Sequence, residues 1–457
     1  MTCSSERDTD RFPESRSEIN GNKRNGDGAR QRVVIIGLDG TPFSFLDHEI
    51  ASGNLPNIAR ITAKGNLARM ETEVPAISSV AWTSFMTGKN PGEHGIFGFT
   101  DRKLGTWELF FPNYSNVQVT PIWDQISSKG GRCCVLNVPS TFPARPLNGV
   151  MVSGFVAPSL ERAVYPTEAY EYLSGMGYRI DANAAKARES LDLLLEDLHE
   201  TLEKRREAML HFWSQEDWDF FMNVFTGTDR LHHFFWRYYE EEDATYHSEF
   251  MRYYRRLDEI IGEFVSELAD DVVLIMLSDH GFCSVKKDVF LNGFLEQEGL
   301  LSFKCQEPQT IADIDAESTL AYCLDPGRIY INRYGREPNG AVKPDMIEGL
   351  QQRIIDGLLA LKDPENSESL ICAVKTRASL YNGKMLDIIP DIIAIPCNGY
   401  DLKGRMSSAV ISPAGIITGM HTHDDAFVFI DGKINNKGPS HIRELAPLII
   451  QASCGNY

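Results

Sequence analysis

Short continuous apolar runs alternate with longer amphipathic stretches along most of the chain. The first run, Val33-Val34-Ile35-Ile36-Gly37-Leu38, has no polar position and stops at Asp39-Gly40. Such a run suits a strand buried on both faces, as in a parallel sheet. The design recurs. Cys133 to Val138 is a further run, Asp219 to Val224 leads to Thr226-Gly227-Thr228-Asp229, and Val272 to Leu277 ends in Ser278-Asp279-His280-Gly281. Helical patterns lie between. Phe250, Leu257, Ile261, Phe264 and Leu268 make one apolar stripe, and Leu191 to Trp213 is a second, Leu-rich helical stretch. Buried strands alternating with amphipathic helices predict an α/β fold with a mostly parallel central sheet and helices on both faces.

The two ends of this pattern differ from its middle. Residues 1–31 offer almost nothing to bury and read as a disordered tail before one domain over 32–457. Residues 300–410 are richer in turns and short strands, such as Ile329-Tyr330-Ile331 and Asp391-Ile392-Ile393-Ala394-Ile395. They are expected to hold the later part of the same domain and a smaller inserted cap over the site.

Composition narrows the functional classes. At 457 residues there is material for one large domain or two ordinary ones, and 42% hydrophobic with 24% charged residues is ordinary for a soluble globular protein. A net charge of -19 argues against general nucleic-acid binding, since nothing offsets phosphate repulsion over the surface. An anionic small molecule is still compatible, because bound cations reverse the field of a pocket locally. The nine cysteines are scattered without CxxC spacing and read as reduced thiols. Neither a signal peptide nor a run of roughly 18 apolar residues is evident, so a cytoplasmic location without a membrane span is expected.

Candidate chemistry sits where the strands end. Ligands of open α/β sheets bind outside the carboxyl ends of the strands, and here those ends carry Asp39, Asp229 and Asp279-His280. One Asp at a strand end is commonly a turn former or a helix cap. The additional histidines change that balance. Asp229 and His233 are four apart, on one face of any helix that starts there, with His232 beside them. Gly419-Met420-His421-Thr422-His423 follows late in the chain, so five of the eleven histidines lie in these three places. Imidazole and carboxylate together suit borderline divalent metals. The segment Pro75 to Gly88 reads as a loop entering a short helix that packs Trp82, Phe85 and Met86, with Ser78 or Ser79 at the N-cap and Gly88 as terminator. A serine there is either a simple cap or, beside a metal, a nucleophile.

These segments, in this order, resemble the alkaline phosphatase superfamily: Leu38-Asp39-Gly40, Trp82 to Gly88 with Asn90-Pro91-Gly92-Glu93-His94-Gly95-Ile96, Thr228-Asp229 with His233, Ser278-Asp279-His280-Gly281 and Gly419-Met420-His421. Within it the chain is similar to the type I phosphodiesterase/nucleotide pyrophosphatase family, over nearly everything from Val33 onward. The resemblance implies an alkaline-phosphatase-like fold and two divalent ions, zinc by preference, with manganese or iron also accepted. It implies one ion held by Asp229, His233 and His421, and the other by Asp39, Asp279 and His280. Ser78 would bridge toward the ions as nucleophile and form a phosphoserine. Ser79, His232 and His423 are the competing positions.

One departure from the family stands out. Its eukaryotic-type members carry an Asn, three residues after Ile96, that donates to a phosphate oxygen, and this chain has Phe99 there. The backbone N–H of Ser79 is then a candidate donor, and Phe97 and Phe99 can equally be core residues. The expected substrate is a small phosphodiester or nucleotide pyrophosphate. A phosphomonoester or phosphonate within the same superfamily is the alternative. An inert metal-binding relative is a reading of another class. A sulfatase would need Cys-x-Pro-x-Arg at the nucleophile, which is absent.

Overall fold

The computed structural model describes residues 31–434 and 438–454. Most of the expected tail therefore lies outside the described residues. An eight-stranded sheet forms the centre, in the spatial order Gly65–Met70, Ala426–Asp431, Val273–Leu277, Val33–Leu38, Phe220–Phe225, Cys133–Val138, Gly149–Ser153, Val164–Tyr165. The five strands from Val273–Leu277 to Gly149–Ser153 are mutually parallel. Ala426–Asp431 runs against Val273–Leu277, and Val164–Tyr165 runs against Gly149–Ser153. Every residue of Val33–Leu38 and of Phe220–Phe225 is buried, as a sheet covered on both sides requires.

Alternation along a single strand shows the two layers. Val34, Ile36 and Leu38 join one hydrophobic cluster with residues of the helices Leu191–Gln215, Gly227–Glu240 and Tyr246–Ser266. Val33 and Ile35 join another with residues of Ser78–Thr87, Ile122–Ser128 and Leu445–Cys454. The period of two sends successive side chains to opposite faces, so one strand feeds both cores. Both expected helical stretches are present. Leu268 falls just beyond the end of Tyr246–Ser266.

The segment after the last parallel strand builds separately. A four-stranded sheet, Ala321–Leu324, Arg328–Ile331, Ile392–Pro396 and Ile371–Thr376, packs with the helix Ile347–Ala360 over its own cluster. One expectation fails here. Cys372 and Cys397 are joined in a disulfide, because the antiparallel pairing of Ile371 with Pro396 brings their neighbours to a Cα separation of 4.8 Å. Cys133, Cys134, Cys283, Cys305, Cys323 and Cys454 are free thiols. Among the described residues no helix is long and apolar enough to cross a membrane.

Candidate metal centre and active site

Register brings the strand ends together. Leu38 pairs with Phe225 and Gly37 with Leu277, so Asp39, Thr226 and Ser278 leave the sheet side by side. The turn at Asp39-Gly40 needs the left-handed backbone of Gly40, at φ 68°. Gly40 N–H donates to Asp279 Oδ1 at 3.0 Å, which ties this turn to the next strand end. Asp229 lies in the first turn of Gly227–Glu240, and His233 lies one turn further on. His421 belongs to the two-stranded ribbon of Gly281–Ser284 with Gly419–Thr422, where it pairs with Phe282.

Two clusters of ligand atoms result. In the first, His421 Nε2 is 3.1 Å from Asp229 Oδ1 and 3.0 Å from His233 Nε2, and His233 Nε2 is 3.4 Å from the same Asp229 oxygen. In the second, His280 Nε2 is 3.7 Å from Asp39 Oδ1 and 3.8 Å from Asp229 Oδ1. Asp229 thus belongs to both. Asp279 Oδ2 stands 3.5 Å from His280 Nε2. The non-ligating nitrogens are oriented by carbonyls: His233 Nδ1 by Gly419, His421 Nδ1 by Ala76 and His280 Nδ1 by Gly281.

Electrostatics inside the protein strain this set. Burial, then repulsion from Asp279 and Asp229, pushes the Asp39 carboxyl well above the usual range. Burial, with Asp229 adding to it, lifts Asp279 to about 7 despite the Gly40 N–H. Burial also opposes charge on Asp229, yet His233, His421 and Arg230 around it bring its carboxyl well below the ordinary value. Burial depresses His233 to about 4 and holds His280 well below the ordinary imidazole value. Burial opposes charge on His421 too, yet its bond to Asp229 and that carboxylate's charge bring it above the ordinary imidazole value. Divalent ions take neutral imidazoles and ionised carboxylates, so loading this set would displace protons from Asp39, Asp279 and His421. Asp279 Oδ2 is buried without a hydrogen-bond partner, which a cation would supply. The residues present fit a pair of borderline divalent ions.

Ser78 sits against the second cluster. Its Oγ is 3.1 Å from His280 Nε2 and 3.4 Å from Asp39 Oδ1. The expected N-cap is not made: the apolar Ile77 occupies that position, and the Ser78 hydroxyl turns toward His280 and Asp39. Gly88 terminates the helix in the left-handed conformation as expected. Ser79 is buried, and its hydroxyl has no partner.

The competing positions separate by contact. His232 binds the Gly40 carbonyl through Nδ1 at 3.1 Å and the Tyr254 hydroxyl through Nε2 at 2.6 Å, and it stacks on Phe250. Both nitrogens are occupied away from the clusters. His423 accepts Thr72 N–H on its backbone carbonyl and lines the cavity above the site. Phe97 and Phe99 divide: Phe97 is buried with Tyr381, Ile389 and Ile393, whereas Phe99 faces the site and meets Phe155 edge-on at 5.5 Å.

Space opens on two sides of the ligand atoms. A small pocket of about 30 Å³ lies against Ser78, Asp39, Phe99, Phe155, Thr226 and Arg230. A larger cavity of about 840 Å³ opens past His233 and His421. Its far wall comes from the four-stranded sheet and the chain after it, including Asp325, Lys375, Ile395 and Lys403. Arg230, Phe155 and Thr226 were not among the sequence candidates. Arg230 lay inside the Asp229-to-His233 motif, and adjacency to a ligand was the one signal it carried.

Comparison with known proteins places the chain in a family. A family model for type I phosphodiesterase / nucleotide pyrophosphatase matches residues 33–424. The chain belongs to this family. It is accordingly a hydrolase of the phosphoester-splitting class, and the expected α/β architecture is the one its structural neighbours share. Phosphonoacetate hydrolase from Sinorhizobium meliloti 1021, solved with phosphonoacetate, superposes with a TM-score of 0.64 at 16% identity, covering 93% of this chain and 97% of that one. Human ectonucleotide pyrophosphatase / phosphodiesterase 5 gives 0.54 at 14%, covering 93% and 96%. Its inactive murine counterpart, solved with AMP, gives 0.54 at 12%, with the same coverage. No curated protein sequence matches the chain significantly.

Proposed function

We propose that the chain hydrolyses phosphodiester or nucleotide pyrophosphate bonds by transferring the phosphoryl group to Ser78 and then to water. The carrying observation is the Ser78 hydroxyl against His280 and Asp39, in one of two carboxylate–imidazole clusters that share Asp229. Asp229, His233 and His421 would hold one divalent ion, and Asp39, Asp279 and His280 the other, zinc first with manganese or iron as substitutes. Bound there, the ions would supply Lewis-acid polarisation and charge neutralisation at phosphorus.

The residues themselves position the reaction. The helix Ser78–Thr87 presents Ser78 Oγ from a buried, rigid first turn. Its oxygen attacks phosphorus, a P–Oγ bond forms, the bond to the leaving oxygen breaks, and the hydroxyl proton ends on that oxygen. Water then attacks the phosphorylated Ser78, which still carries the other organic group of a diester; P–Oγ breaks, the water hydroxyl stays on phosphorus, and its other proton returns to Ser78 Oγ. The wide cavity past His233 and His421 gives the organic part of a substrate its place. Most of the rate advantage would come from position and from charges fixed in advance.

The test is Ser78→Ala on zinc-loaded protein. Turnover of an aryl phosphodiester should fall by about three orders of magnitude or more, with metal content near the native value. Full activity in that variant, or the same loss in Ser79→Ala alone, would move the nucleophile. A chain that binds less than one ion and gains no activity from zinc or manganese would be the inert relative.

A specific observation favours a second reading, in which the substrate is a monoester or phosphonate. The pocket beside Ser78 is closed by Phe99 and Phe155 and holds roughly two water-sized groups. It fits bare phosphoryl oxygens better than a second organic substituent. Parallel kcat/KM values for bis-aryl and mono-aryl phosphates decide between the two, and a faster monoester would replace the diesterase reading.

A further inference from the structure

Arg230 lines the same small pocket as the proposed nucleophile and has donors to spare. Its Nε and Nη2 donate to Asp181 Oδ2 at 3.0 and 2.7 Å, and its Nη1 donates to Asp229 Oδ2 at 3.2 Å. These bonds use three of the five N–H groups of a guanidinium. The group also lies over the Phe155 ring, 4.3 Å from its centroid. Asp181 is fixed in turn by Thr226 Oγ1 and by the Ala182 N–H. The fork is therefore held by protein from several directions while it borders the pocket that Ser78 lines.

We infer that Arg230 binds the non-bridging oxygens of the phosphoryl group during transfer to Ser78. The inference rests on the reading of Ser78 as nucleophile. Phe99 offers this pocket only a hydrocarbon edge where the family's amide would donate. Among the residues lining the pocket, Arg230 is the one permanent cation. A guanidinium gives short, paired, charge-assisted bonds to phosphoryl oxygens. Held in advance by Asp181 and Phe155, it meets charge developing on those oxygens without reorganising.

The bland account is that Arg230 merely neutralises Asp181 and Asp229. That account predicts effects on metal loading and none on anion binding, so the two separate. Zinc-loaded, desalted Ser78→Ala protein, which cannot be phosphorylated at that position, is titrated with inorganic phosphate by calorimetry, with and without Arg230→Met. We expect at least about tenfold weaker phosphate binding in the double variant, with zinc per chain unchanged. In the otherwise native chain, Arg230→Met and Arg230→Lys should each lower kcat/KM about 100-fold, since an ammonium lacks the fork, and added guanidinium should restore part of the Met variant's rate.

Unchanged phosphate affinity overturns the inference, and so does a loss of zinc that accounts for the loss of rate. Should Arg230→Met fail to fold, Arg230→Gln, which keeps a donor toward Asp181, is read by the same titration. The nucleophile reading fails separately. Native turnover in Ser78→Ala removes Ser78 from its role, while the phosphate titration still reports on Arg230.

Discussion

Gly37 shows how closely single residues are set around the site. A Cβ there would stand 2.7 Å from the Trp82 ring and 2.9 Å from Val224, so the bare backbone is what lets Trp82 lie against the strand. From that position Trp82 Nε1 donates to Asp39 Oδ2 at 2.9 Å and fixes the carboxylate one way round. We expect Gly37→Ala to cost about 1–3 kcal/mol through overpacking and to lower activity by displacing Trp82. Trp82→Phe should cost less stability for the lost bond, about 1 kcal/mol, yet lower zinc affinity measurably. Denaturant unfolding and a competitive chelator titration check both. The ligand candidates themselves were legible because Asp and His recur just past buried strands. The choice of His233 over His232 was not, because adjacent residues on a helix differ only in the direction they point. Arg230 stayed hidden because a charge beside a ligand carries no direction in sequence.

Among elements, the helix Ser78–Thr87 and the short helix Pro91–His94 share a buried polar chain. His94 Nε2 meets Ser84 Oγ at 2.9 Å, Ser84 also bonds Glu73, and Arg443 Nε is 3.0 Å from Glu73. Burial raises Glu73 to about 7 and depresses His94 to about 3. The two act on stability in opposite senses. The folded state binds the Glu73 proton more tightly than the unfolded state, so that contribution is present below the unfolded carboxyl value and lost as pH rises toward 7. His94 is neutral when folded, so its contribution is present above the ordinary imidazole value and lost as pH falls toward 3. Between roughly pH 4.5 and 6.5 they offset each other. Glu73→Gln should therefore make stability rise with pH across this window, and His94→Gln should make it fall. Urea midpoints at pH 5 and 6.5 for each variant test this, and parallel profiles in both would refute it. Four of the five parallel strands were readable as apolar runs; Gly149–Ser153, with three apolar residues between Gly149 and Ser153, was not. The four-stranded sheet was less legible, since its strands are short and its partners are distant in sequence. The Cys372–Cys397 bond depends on that pairing and was missed with it.

For the whole molecule, three buried carboxylates converge on one space against Arg230 and the His421 imidazole, which Asp229 holds above its ordinary value despite burial. Removing bound ions should cost the fold as well as the reaction. Each ion at a free concentration 1,000 times its dissociation constant contributes about 4 kcal/mol to the native state. Exhaustive chelation at neutral pH should lower the thermal midpoint by several degrees, and stoichiometric zinc should restore it. A midpoint indifferent to chelator would mean that the clusters take no ion in the native state. The mostly parallel sheet, helices on both its faces and the order of the candidate segments were present in the sequence pattern. The shape of the cavity was not, because its walls come from residues separated by some three hundred positions, such as Ile77 and Lys375.

That division of the cavity has a consequence for how such an enzyme diversifies. The candidate ligand atoms come from the ends of the central sheet, the helix Gly227–Glu240 that follows one strand and the ribbon beside it, whereas the opposite wall belongs to a sheet with its own core. Reactivity and selectivity are thus inherited on separate stretches of chain. Residues 321–403 can be exchanged or redrawn without touching the groups that break the bond, so relatives with identical chemistry are free to differ entirely in what they accept.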